Sequence, residues 1–202
     1  MKDTYKCISK ASEEVLFKDK NSKFFGTAFP VTTEEEAKAH IEDLKKKHHQ
    51  ARHWCYAWRI GKENPQFRAN DDGEPSNTAG MPIYGQIQSF DVTNILIVVV
   101  RYYGGIKLGV GGLINAYKTT AQMALENSKI VKRTIDEVFV LKFDYPEMNL
   151  VMRVIKEHNL NIIEQKLELD CEIHISVRKK LSEEIFKKFE AIYKVKIKNS
   201  DD

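Results

Sequence analysis

Leu169-Asp170-Cys171-Glu172-Ile173-His174-Ile175-Ser176-Val177 alternates apolar and polar side chains without a break. That is the period-two pattern of a strand with one buried face. Upstream, Phe139, Leu141 and Phe143 alternate with Val140 and Lys142 in a second such strand. Between the two, Pro146 stands where the first turn of a helix tolerates a residue without an N–H, and Leu150, Val151, Val154 and Ile155 recur at helical spacing. Asn161 to Glu168 supplies a further strand before the turn into Leu169. Downstream, Ser182 reads as an N-cap, with Glu183 and Glu184 in the first turn and Leu181 and Phe186 as a hydrophobic staple. Ile185, Phe189 and Ile192 continue that helix, and Tyr193 to Lys198 forms a last strand. The order is β-α-β-β-α-β, the ferredoxin-like unit.

Moving toward the N-terminus, the chain stays mixed. Phe24 to Val31, His53 to Ile60 and Asn94 to Tyr102 read as strands, the last buried on both faces because its Ile/Leu/Val run is continuous. Thr33 and Glu36 form a capping box for a helix through Ala37, Ile41 and Leu44 toward His48. Past a glycine-rich loop, a helix opening near Gly112 carries Leu113, Ala116, Tyr117, Thr120, Ala121 and Ala124, small enough to pack closely on a sheet. The fold class is therefore α+β in two domains, 1–134 and 135–202, with no Pro/Gly-rich linker between them.

Composition bounds the function. The longest purely aliphatic run is Ile95 to Val100, far short of the roughly 18 residues of a membrane span. No secretory h-region follows Met1, so a cytoplasmic protein with no membrane association is expected. Cys7, Cys55 and Cys171 are odd in number and far apart, which reads as reduced thiols. The formal charge of +3 is uneven: 20 Lys and Arg stand against 15 Asp and Glu up to Thr134, then 12 against 14. Any contact with phosphate belongs to the first domain.

Two loops hold seven of the ten glycines. The first is Asp71-Asp72-Gly73-Glu74-Pro75-Ser76-Asn77-Thr78-Ala79-Gly80, and the second runs Arg101-Tyr102-Tyr103-Gly104-Gly105-Ile106-Lys107-Leu108-Gly109-Val110-Gly111-Gly112. The second has neither the Walker A nor the dinucleotide pattern. Lying between strand and helix, it suits a looser anion cradle, formed by Gly104, Gly105, Gly109, Gly111 and Gly112 with Arg101, Tyr103, Lys107 and Lys118. The same glycines serve equally to shape a tight turn. No resident cofactor is expected; the one cation the chemistry offers is Mg²⁺ at Asp71, Asp72 and Glu74, although Asn-Asp-Asp-Gly is also ordinary turn chemistry. His48, His49, His53 and Cys55 would have to converge from a helix end and a strand to hold zinc, so Cys55 reads as a buried thiol and His174 as a solvated side chain.

Lys20-Asn21-Ser22-Lys23-Phe24, Ala51-Arg52-His53-Trp54-Cys55-Tyr56-Ala57 and the two glycine loops together resemble the IMPACT family in its bacterial YigZ-type form. The resemblance implies a first domain like the second domain of ribosomal protein S5 and a ferredoxin-like second domain like a late domain of elongation factor G. It adds Lys23, Arg52, His53, Ser76 and Thr78 to the candidate site. Eukaryotic members regulate translation by interfering with activation of an amino-acid-starvation kinase through its activator protein. The chain departs from the usual pattern at Asn77, at Asn115, where arginine is common, and at Lys118.

Three functions follow. A non-catalytic module would bind RNA, the ribosome or a translation factor through the basic domain. An adaptor would bind a protein partner. An enzyme would use Mg²⁺ on a phosphorylated small molecule or nucleotide. The RNA-binding module ranks first, the adaptor close behind it and the enzyme last, because no complete nucleophile or acid–base set is visible; the chain fixes no oligomeric state.

Overall fold

Ile95–Tyr102 is the strand around which the first part of the chain is built, and seven of its eight residues are buried. A computed structural model describes residues 3–200, leaving Met1, Lys2, Asp201 and Asp202, the ends of the two spans read from the sequence, outside the described residues. The architecture is mixed α/β. The elements in chain order are β1 (Thr4–Ile8), β2 (Val15–Asp19), β3 (Ser22–Pro30), α1 (Glu34–Lys47), β4 (His53–Ile60), β5 (Gln66–Asn70), α2 (Gly80–Ser89), β6 (Ile95–Tyr102), α3 (Gly109–Glu126) and β7 (Ile130–Thr134). They are followed by β8 (Asp136–Asp144), α4 (Met148–Glu157), β9 (Asn161–Lys166), β10 (Asp170–Arg178), α5 (Ser182–Glu190) and β11 (Lys196–Asn199). Chain contacts divide these into one unit of Tyr5–Arg133 and another of residues 134–200 with residues 3 and 4. Residue 3 belongs there because Ile135 N–H donates to the Asp3 carbonyl and Arg178 Nε donates to its carboxylate.

In the first unit the sheet order is β2-β3-β6-β4-β5, every neighbouring pair antiparallel. Alternation on β6 divides the core. Leu96, Val98 and Val100 pack with Ala37, Ile41 and Leu44 of α1, whereas Ile95, Ile97 and Val99 pack with Ile83 and Ile87 of α2 and Ala116, Tyr117 and Ala121 of α3. The expected burial on both faces is found, and the small residues of α3 let it approach closely. A Cβ on Gly26 of β3 would lie 2.7 Å from the Thr120 methyl.

Local signals account for α1. Thr33 Oγ1 accepts from Glu36 N–H at 3.2 Å, as a capping box requires, and the Glu36 carboxylate reaches back to accept Thr32 N–H at 2.6 Å. For α2 they do not. No side chain beside its start caps it; the Asp71 carboxylate, from across the loop, accepts Ala79 N–H at 3.0 Å and Gly80 N–H at 2.8 Å. The helix expected from Gly112 opens a turn earlier, at Gly109, whose φ of +75° is a left-handed conformation that glycine adopts without strain.

In the second unit the expected order of elements is present, and the sheet reads β11-β8-β10-β9, again antiparallel throughout. Ile173 lies opposite Leu141, which lies opposite Ile197. Phe139, Leu141 and Phe143 share one core with Val151, Val154 and Ile155 of α4 and Ile185 and Phe189 of α5. Two local expectations are corrected. Ser182 is not the N-cap of α5: the helix continues from a 3₁₀ turn at Lys179–Leu181, and the Ser182 hydroxyl donates back to the Lys179 carbonyl at 2.7 Å. The last strand begins at Lys196 rather than Tyr193, because Val195 N–H turns back onto the Ile192 carbonyl and Lys194 has a φ of +61°.

The polar side of β10 is not simply hydrated either. His174 Nε2 lies 2.8 Å from Glu172, which Lys142 also meets at 2.7 Å. Those two bonds, His174's first, hold the Glu172 carboxyl down at about 2, from an ordinary 4.5. A depressed carboxyl stabilises the fold above its unfolded pKa and stops doing so as pH falls through its folded value. The contribution of Glu172 is therefore lost between pH 4.5 and pH 2. A carboxyl-carbon NMR titration with its midpoint near 4.5 instead would refute this bridge.

Candidate functional site

Arg101 continues the alternation of Ile95, Ile97 and Val99, so its side chain enters the face of β6 covered by α2 and α3. A cation buried there needs a countercharge. Glu74 provides it: Arg101 Nη1 donates to Glu74 Oε1 at 2.7 Å, with only 6% and 4% of the two side chains exposed. Tyr117 of α3 donates its hydroxyl to the same oxygen at 2.7 Å. The guanidinium also lies over two rings, 5.5 Å from the Phe24 centroid and 5.4 Å from that of Tyr103. Its Nε is buried without an acceptor. The two glycine loops are thus joined through a charged, hydrogen-bonded core.

Above this pair opens a cleft of about 560 Å³. Of the residues singled out from the sequence, Arg52, His53, Glu74, Arg101, Tyr103, Lys107 and Gly109 line it. Pro75, Leu108, Val110 and Leu113 complete the wall, and sequence reasoning had passed over them. Their only signal was position, immediately beside the motif residues.

The remaining candidates serve elsewhere. Gly104 N–H donates to Ser22 Oγ at 3.2 Å, and Thr78 Oγ1 donates to the Pro75 carbonyl at 2.6 Å. Gly105, Gly111, Gly112, Ser76, Lys23 and Lys118 do not line the cleft, and Lys23 and Lys118 are exposed. Asn77, a departure from the family pattern, has a φ of +61° and donates its N–H to Asp71.

The three carboxylates do not converge. Asp71 holds the N-terminus of α2, Asp72 Oδ2 accepts Trp54 N–H at 2.7 Å, and Glu74 is bound to Arg101 and Tyr117. Each spends its oxygens on a different partner. Among the described residues no group of three or more His, Cys, Asp or Glu side chains is arranged to hold a metal.

Nor do the histidines and Cys55 gather. His48 bonds Glu14 at 2.8 Å and Tyr102 at 3.0 Å, closing a half-buried cluster that the sequence did not reveal. His53 Nδ1 lies 2.8 Å from the Asp72 carbonyl, which can only accept, so the proton sits on Nδ1 and Nε2 is left for a ligand. Cys55 is inert: its thiol bonds the Asp71 carbonyl and the Tyr117 hydroxyl, and burial pushes its pKa well above the ordinary thiol range.

Chemically, the cleft offers two exposed cations, Arg52 and Lys107, one imidazole nitrogen and one exposed ring, Tyr103. It also offers the start of α3, where no side chain caps the first amides. Such a helix end favours an anion. Nothing in it forms a nucleophile–base pair.

The first unit is a three-layer α/β domain in which the two glycine loops border one cleft. Residues 20–125 match the Impact N-terminal domain, and the chain belongs to the IMPACT family. It is 33% identical to the IMPACT family member YvyE of Bacillus subtilis over 180 residues, 89% of this chain and 82% of that protein. Against the IMPACT family member YigZ of Escherichia coli it is 37% identical over 143 residues, 70% of either chain. A crystal structure described as that of a hypothetical protein superposes with a TM-score of 0.74 at 27% identity, covering 98% of this chain and 97% of the other. Among the described residues no helix is long and apolar enough to cross a membrane.

Proposed function

We propose that the protein is a binding module of the translation apparatus that grips RNA through the cleft between its two glycine loops. The observation that carries this is the meeting, on one cleft, of Arg52, Lys107, the exposed ring of Tyr103 and the uncapped start of α3. Cations and helix N-termini meet phosphates, and an aromatic face takes a base whatever its identity. The family's association with translational regulation supports the reading. So do the basic balance of residues up to 134 and two fold assignments, one like the second domain of ribosomal protein S5 and one ferredoxin-like, the latter favoured by the β11-β8-β10-β9 order.

One change follows from the geometry. Arg101 is neutralised by Glu74, so the phosphate contacts pass to Arg52 and Lys107, with Lys118 further along α3. If these three side chains each meet a phosphate of single-stranded RNA, affinity falls roughly twentyfold between about 50 and 200 mM salt. Filter binding across that range checks this, and an affinity indifferent to salt would sink it. A protein adaptor is the second reading, favoured by Ile106, Val110 and Ile114, which are 48%, 59% and 38% exposed beside the same cleft. In that case RNA does not bind and a protein co-purifies.

A further inference from the structure

We infer that the cleft is built for one nucleotide carrying a terminal phosphate monoester, rather than for a passing stretch of internal phosphodiesters; this rests on the RNA-binding reading above and narrows it. Size is the first argument. A volume of about 560 Å³ suits a single small ligand, since such sites run to roughly 300–1,000 Å³. A track for a polymer would instead be a groove with cations spaced along it.

Charge is the second argument. With Arg101 and Glu74 cancelling one another, Arg52 and Lys107 are the uncompensated side-chain charges of the cleft wall. The start of α3 adds the partial positive charge of amides that no side chain caps. A phosphate monoester carries roughly −1.5 to −2 at neutral pH and fills that demand, whereas an internal diester, with a single charge, does not.

The rest of the wall is apolar and suits a base and ribose. Tyr103 is held on one side by the Arg101 guanidinium yet remains 45% exposed, which leaves ring surface for stacking. Pro75, Val110 and Leu113 stand nearby. His53 Nε2 can accept from a sugar hydroxyl. Cations and an exposed ring on the wall of one cleft of this volume suit a ligand the size of a nucleotide. The same chemistry is offered by a free nucleoside monophosphate and by the phosphorylated end of an RNA.

The test compares fluorescent pentauridylates bearing a phosphate at the 5′ end, at the 3′ end or at neither, by anisotropy, with uridine and adenosine monophosphates as competitors. The expected result is binding roughly tenfold tighter for a terminally phosphorylated strand than for the unphosphorylated one, as loss of a charge-assisted contact implies. Lys107→Ala, an exposed position, should erase that preference without lowering the melting temperature, and Tyr103→Ala should weaken all strands alike. Competition by the monophosphates near the strand's own affinity identifies a free nucleotide as sufficient. Competition by phosphorylated strands alone identifies an RNA end. Equal, salt-dependent affinity for all three strands overturns end recognition and leaves the RNA-binding reading standing; no binding of any strand overturns both.

Discussion

Arg101→Ala is expected to cost about 3–5 kcal/mol of folding stability, the range found when one partner of a buried ion pair is removed. Both side chains of the Arg101–Glu74 pair are almost wholly buried, so solvent does not screen the loss. The variant leaves the Glu74 carboxylate with the Tyr117 hydroxyl alone and opens space between Phe24 and Tyr103. Urea denaturation should show the transition moving to lower denaturant with little change in slope. Glu74→Ala should cost a similar amount, and Arg101→Leu combined with Glu74→Leu should recover only part of it, because an apolar pair needs no desolvation but the buried Tyr117 hydroxyl loses its acceptor. A double-mutant cycle then reports the coupling. If Arg101→Ala melts with the unmodified protein, the guanidinium is not a structural cation, and its role as a phosphate ligand returns.

Gly104→Ala should be the most damaging single-methyl change in the site, at about 3 kcal/mol or more, the upper end of what overpacking costs. A Cβ at this position would fall inside the backbone of Asn21 and Ser22, and backbone cannot rotate away as a side-chain tip can. The Gly104 N–H would also leave Ser22 Oγ, which takes a long 3.5 Å contact from Arg101 as well. Thermal melting of Gly104→Ala against Gly111→Ala isolates the cause. Gly111 lies inside α3 with nothing near its missing Cβ, so alanine there should stabilise, by up to about 1 kcal/mol. Comparable melting of the two variants would mean that the loop adapts and that close approach is not why Gly104 is there.

Much of the scaffold was legible because its signals are local. The alternation of β10, the apolar run of β6 and the Thr33–Glu36 pair each act through neighbours a few residues away. Edge strands β2 and β5 escaped because they are short and half exposed, which leaves no clean alternation. Helix α2 escaped because its cap comes from Asp71, eight and nine residues upstream of the amides it accepts. The site was legible as a list of residues and not as an arrangement. Asp71, Asp72 and Glu74 look like a cation cluster in one dimension, yet their carboxylates go to a helix end, a strand amide and a buried arginine.

By itself the sequence determined the family, the mixed α/β class, the βαββαβ order of the second unit and the two loops that meet at the cleft. These follow from periodicity, from caps and from motifs dense enough to be specific, all of them short-range in the chain. Only the tertiary structure decided which charges are free. Glu74 and Arg101 are 27 residues apart, and Glu74 and Tyr117 are 43 apart. Their pairing depends on β6 laying Arg101 under α3 and on the acidic loop folding over it. Burial in a medium that cannot solvate a lone charge then forces the two together, spends the most conspicuous cation of the motif on structure, and leaves Arg52 and Lys107 to face a ligand.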